Sequence, residues 1–215
     1  QLAQKGLGRD VDLEAGMFLI MEFGYPNSDP QACRESLDSL ARQLEQNLDM
    51  EADPTQTVIA LTQLLFQQEN FKGNQNNYMD PDNSYLNKVL EHNTGLPITL
   101  SALCVLVASR LDLPIVGIGL PGHYIAKYNL PQGGIYFDPF HQGRTLTRAD
   151  CIKISEQFGQ PFEEHFLSQS THRETLVRMM NNLVQVYQSS NELKKAETLS
   201  SYTKILLNPE NTRGH

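Results

Sequence analysis

The sequence predicts an α+β fold, on three observations. The first third of the 215 residues reads as amphipathic helices. A segment that is apolar on nearly every face, Ile98 to Leu111, marks a buried central helix. Directly behind it the hydrophobic period shortens to brief β-like runs cut by Pro and Gly, and from Arg148 helical spacing returns. Helices, an antiparallel meander and helices again is the segregated order of an α+β chain.

The first helix is expected from Asp10 to Phe23, with Leu13, Met17, Ile20 and Met21 as its apolar stripe and Phe18 and Leu19 thickening it. Gly24-Tyr25-Pro26-Asn27 ends it. Asp29-Pro30 then reads as an N-cap followed by proline at the first helical position. Cys33, Leu37, Leu40, Ala41, Leu44 and Leu48 follow at spacings of three and four, so Cys33 belongs to a buried stripe. Asp53-Pro54 starts a third helix by the same chemistry, carrying Val58, Leu61, Leu64, Leu65 and Phe71. Residues Gly73 to Pro81 read as a polar loop, and Pro81 opens a short helix with Tyr85, Leu86, Val89 and Leu90. Thr94-Gly95-Leu96-Pro97 is a tight break before the central helix. The β-like runs are Leu113 to Leu120, Tyr124 to Tyr128, Ile135 to Phe137 and Arg144 to Leu146. Helices are expected again over Arg148 to Phe158, Thr171 to Ser189 and Asn191 to Leu207.

Composition narrows the function classes. Hydrophobic residues make up 40%, enough for a core, and no apolar run approaches the roughly 20 residues that span a bilayer. The net charge of −8 disfavours nucleic acid and an anionic membrane surface, both of which need clustered Lys and Arg. Cys33, Cys104 and Cys151 are too widely spaced for a CxxC pair, and their odd count fits a reducing compartment, the cytoplasm. Gln1 in place of Met reads as a processed or trimmed start, which leaves room for a removed targeting segment.

Gly95-Leu96-Pro97-Ile98-Thr99-Leu100-Ser101, Pro121-Gly122-His123-Tyr124 and Phe137-Asp138-Pro139-Phe140, with Asn77-Tyr78, Asp80-Pro81 and Asn83-Ser84-Tyr85-Leu86 ahead of them, resemble the bacterial SirB-type, transglutaminase-like family over nearly the whole chain. The resemblance implies a transglutaminase-like (papain-like) core, with a central helix against an antiparallel sheet. Enzymes of that fold use a Cys at the start of the central helix, a His on a following strand and an Asp on the next. A helix N-terminus stabilises the thiolate, the His takes the proton and the Asp orients the His.

Carried over residue by residue, the resemblance places His123 at the His position and Asp138 at the Asp position. The Cys falls at Pro97, which suits the first turn of a helix and cannot act as a nucleophile. His123 and Asp138 are therefore a remnant pair, serving a ligand or pinning two strands. Cys104, about two turns into the helix, reads as a buried structural thiol. Thr99 and Ser101 lie at the correct helix end and are weak hydroxyl candidates, with capping or local backbone bonding as the plainer role. Cys33 and Cys151 read as structural. His141, three residues after Asp138, raises a two-His, one-Asp zinc possibility, but without regular ligand spacing no metal is assigned, and no cofactor is read. His92, His165 and His172 are expected to face solvent near helix ends.

At the C-terminus, Leu183, Tyr187 and Ala196 keep the separations of the large, aromatic and small positions of a tetratricopeptide repeat, closed by Pro209. One such hairpin cannot bury both faces, so it packs on the main domain, on a further repeat beyond Asn211 to His215, or on a partner. The division expected is a helical region over 1–72, a transglutaminase-like core over 73–170 and a TPR-like hairpin over 171–215. The function expected is a non-catalytic interaction or regulatory module with a protein partner at its C-terminal helices. The alternative is a cysteine- or hydroxyl-dependent acyl hydrolase or transferase with an altered nucleophile.

Overall fold

The computed structural model describes residues 10–48 and 53–208. Three helices lead: α1 (Leu13–Gly24), α2 (Pro30–Asn47) and α3 (Pro54–Gln63). Each opens on an aspartate whose carboxylate accepts from the first turn: Asp12 from Ala15 N, Asp29 from Gln31 N, and Asp53 from Gln56 N within a capping box. The expected stripes are buried, except that Leu48, just past α2, is half-buried and one residue of α1 is exposed. Leu19 does not thicken the buried face of α1 but stands 69% exposed. It sits two residues from both Met17 and Met21, on the opposite side of a 3.6-residue period. α3 runs on into a π-helical turn, Leu64–Gln68, so Phe71 is buried beyond the helix and not on it.

The loop expected after residue 72 begins with a short strand. β1 (Lys72–Gly73) pairs in parallel with β2 (Thr94–Gly95), on either side of a 3-10 turn (Pro81–Ser84) and α4 (Leu86–His92). The central helix is α5 (Pro97–Ser109), with Pro97 buried in its first turn and side chains buried on all sides. Arg110, just past the end of α5, pairs with Glu14 of α1 (2.8 Å) and Asp38 of α2 (2.5 Å).

The sheet is the expected antiparallel meander, β3 (Ile115–Ile118), β4 (Ile125–Leu130), β5 (Gly133–Asp138) and β6 (Arg144–Leu146), in sequential order. α5 packs against β3 and β4. α6 (Arg148–Gln157) follows, then α7 (His172–Ser189), capped by Thr171, and α8 (Leu193–Leu207). Asn191 takes a positive φ of 63°, which moves the start of α8 two residues past the expected Asn191. One continuous apolar cluster runs from Leu13 of α1 through α5 and the sheet to Leu199 of α8. Leu183, Tyr187 and Ala196 are all buried in it; Pro209 and the tail from Asn211 to His215 lie outside the described residues. No helix among the described residues is long and apolar enough to cross a membrane.

Candidate functional site

Asp138 ends β5 and is the centre of the site. Its side chain is 3% exposed, and one oxygen, Oδ2, accepts from Nε2 of His123 (2.8 Å) and from Nδ1 of His141 (2.8 Å). The other oxygen, Oδ1, caps the short 3-10 turn Pro139–His141 by accepting from Phe140 N (3.0 Å) and His141 N (3.3 Å). The Asp-Pro sequence thus makes the aspartate a cap for the turn that presents the second histidine. Burial alone would raise the Asp138 pKa; the hydrogen bond and charge of His123, then those of His141, outweigh it and hold the carboxyl below its ordinary value.

His123 does not sit on a strand. It follows the Pro121-Gly122 turn and lies two residues before the start of β4. Gly122 has φ of +67°, and a Cβ there would meet the Phe158 ring at 2.1 Å, so the turn requires glycine. The His123 side chain is 10% exposed and packs edge-on to Phe140, with ring centres 6.3 Å apart. With Nε2–H given to Asp138, a neutral ring presents Nδ1 as its free lone pair, the atom that takes a proton in general-base chemistry.

Among the described residues no thiol or hydroxyl is hydrogen-bonded to that ring. Thr99 is buried; its Oγ1 donates to the Asn83 carbonyl (2.6 Å) and accepts from Leu96 N (3.2 Å), which closes the first turn of α5. Ser101 is buried and donates to the Tyr124 carbonyl (3.4 Å). Cys104 is fully buried, and burial pushes its thiol far above the ordinary range. Cys151 is likewise buried, its pKa raised to about 11 by burial, and Cys33 packs on Met21, with sulfurs 3.7 Å apart. His92 and His165 face solvent as expected. His172 does not: it is half-buried, its ring bonded to the Val11 carbonyl at 2.9 Å, because the segment before α1 crosses the N-terminus of α7.

The ligand atoms of His123, Asp138 and His141 all lie within 4.8 Å of one another, so these three residues could hold a metal ion with two imidazoles and a carboxylate. Two features of the neighbourhood escaped sequence reasoning. Asn83 is a hub: its side chain donates to the Asn77 carbonyl (2.8 Å) and accepts from Asn74 (2.9 Å), while its own carbonyl receives Thr99. Arg178 of α7 donates through Nη2 to the carbonyls of Leu120 (2.9 Å) and His123 (2.8 Å), clasping the turn that carries the histidine. A charged residue close to Leu176, Met179 and Met180 in an otherwise apolar stripe was the available signal.

A family model described as Transglutaminase-like superfamily matches residues 31–181. The chain is 32% identical over 195 residues to a UPF0162 protein of Xylella fastidiosa, covering 86% of this chain and 68% of that one. It is 30% identical over 182 residues to a UPF0162 protein of Pseudomonas aeruginosa, covering 83% of this chain and 66% of the relative. F-box only protein 21 of Homo sapiens is 29% identical over 149 residues, 65% of this chain but 23% of that protein. No solved structure matches.

Proposed function

The chain belongs to the transglutaminase-like superfamily, and on that premise we propose that it is a non-catalytic, SirB-type member, a pseudoenzyme working as a protein-interaction or regulatory module in the cytoplasm. The observation that carries this reading is the separation of the two halves of the chemistry. The His123–Asp138 pair is in place at 2.8 Å, while the resemblance puts Pro97 at the nucleophile's position and the nearby Thr99, Ser101 and Cys104 are buried and, for the two hydroxyls, already donating to carbonyls. A hydroxyl or thiol nucleophile needs a base within hydrogen-bond reach.

The interaction half of the proposal rests on the C-terminal helices. On this reading α7 and α8 are a TPR-like hairpin, within a proposed division of the chain at residues 72 and 170. The hairpin buries one side against the core, and with α1 it leaves an apolar groove lined by Leu19, Phe23, Tyr202 and Ile205. A protein partner is assigned to that side of the molecule.

The test uses purified protein, an alkylating thiol probe and a panel of acyl esters and amides. The expected result is no turnover that depends on His123 and no labelling of Cys104 until the protein is unfolded. Turnover abolished by His123→Ala, or folded-state labelling of Cys104 lost with the same substitution, would reassign the chain as an acyl hydrolase or transferase with an altered nucleophile.

A further inference from the structure

Arg178 is a half-buried cation that the His123–Asp138 pair does not use. Its Nη2 serves two carbonyls, and its guanidinium carbon stands 5.4 Å from the centre of the Tyr124 ring. Among the described residues no ion pair reaches it, and its Nε and Nη1 donate to no partner. Arg110 shows the contrast: it too is half-buried, and two carboxylates meet it. Burial lowers the pKa of Arg178, yet an arginine stays charged across the physiological range. Its free N–H groups are not sealed in the core but reach solvent, where an anion can take them in place of water.

The guanidinium lines a cavity of 390 Å³ shared with Gly119, Pro121, Phe158, Gln160 and Phe166. Gly119 keeps the approach open, since a Cβ there would stand 3.2 Å from Nη1. We infer that this cavity is a binding site for a peptide carboxylate with an apolar neighbour. The carboxylate oxygens take the N–H groups that Arg178 leaves unmade, in the forked geometry that guanidinium and carboxylate share. Phe158, which is 56% exposed, and Phe166 provide apolar wall for the neighbouring side chain. Gln160, exposed at the rim, offers an amide to the peptide backbone. The inference goes beyond the interaction reading: it adds a second site, beside His123 and apart from the groove of α1 and α8, and names the chemistry of its ligand.

The test titrates three short acetylated peptides, each with a leucine, into the full chain: one ending in a free carboxylate, one amidated and neutral, and one amidated with an internal glutamate. The readout is the arginine Nε–H resonance of Arg178 by NMR. A saturable shift with a carboxylate peptide is expected, with none from the neutral one. The free-acid and glutamate peptides separate a chain terminus from an acidic side chain. Because Arg178 also clasps the turn, the decisive variant is Gln160→Glu, which places a competing carboxylate at the rim without touching Arg178. It should weaken binding about tenfold or more. Equal binding of the neutral peptide, unchanged binding in Gln160→Glu, or no shift at millimolar peptide would each overturn the site and leave Arg178 as a clasp alone. Loss of this site leaves the acyl-substrate test untouched, so the two readings fail separately.

Discussion

The hydroxyls of Tyr85 and Tyr187 meet at 2.6 Å in the buried core, joining residues 102 positions apart. Tyr85 lies between the 3-10 turn and α4 and is 1% exposed; Tyr187 lies near the end of α7 and is 3% exposed. This contact fastens the C-terminal hairpin to the segment that leads into α5. Apolar packing could hold the two together in several registers, whereas a buried hydroxyl pair permits few.

Tyr187→Phe should therefore destabilise the protein by about 1–3 kcal/mol, because it leaves the Tyr85 hydroxyl buried without its partner. Tyr85→Phe with Tyr187→Phe should cost less than the sum of the single changes, since removing both hydroxyls leaves nothing unsatisfied. Urea unfolding of the four proteins checks this. Strict additivity would mean that the hydroxyls find other partners.

Asp138 links stability to pH. Its carboxyl is held below the ordinary value in the folded protein, so it contributes stability above the unfolded value of about 3.9. That contribution is lost as the pH falls through the folded value. Asp138→Asn should cost on the order of 1–3 kcal/mol at neutral pH, where a buried, charge-assisted set of hydrogen bonds is removed. The gap between the two proteins should narrow in acid below about pH 4. Unfolding midpoints between neutral and acid pH measure it, and a gap that widens in acid would contradict the sign.

Asn83 holds the 74–83 loop to the start of α5. Asn83→Ala removes its bonds to Asn74 and the Asn77 carbonyl while leaving the backbone carbonyl that Thr99 uses. The expected result is a loss of about 1–3 kcal/mol, with faster amide exchange confined to residues 74–83 and α5 keeping its protection. Exchange that speeds up across the whole chain would mean that the hub supports the core as a whole.

Most of the helical frame could be read in the sequence because its signals are local. Asp29-Pro30 and Asp53-Pro54 are caps written in adjacent residues, and the stripe from Cys33 to Leu44 declares its buried face by spacing alone. The meander was legible through its turn residues, and the His123–Asp138 pairing through the family resemblance. What escaped depends on contacts distant in the chain. Lys72–Gly73 becomes a strand only because Thr94–Gly95 returns beside it. His172 is half-buried only because Val11 crosses it. The clasp of Arg178 on the His123 turn spans 55 residues and leaves no periodic trace. The spacing of His141 from Asp138 is visible in the sequence, but its share of the same carboxylate oxygen comes from the geometry of the 3-10 turn.

Leu19 carries the last prediction. It is 69% exposed on α1, and Tyr202 and Ile205 of α8 stand 47% and 50% exposed across the groove from it. Scattered exposed apolar residues are ordinary, but apolar side chains lining one groove of 640 Å³ mark a surface suited to a partner. Leu19→Glu with Ile205→Glu places two charges in that groove while leaving the buried stripe of Leu13, Met17, Met21 and Leu199 intact. Stability should therefore stay within about 1 kcal/mol of the parent, as for most exposed substitutions. Binding of a partner recovered with the intact chain, and then repeated with both proteins purified, should fall at least about tenfold, because the charges would have to be desolvated without counterions. Unfolding curves establish the first half and titration calorimetry the second. If the variant keeps both its stability and its affinity, the partner binds elsewhere on the molecule and the groove serves no docking role.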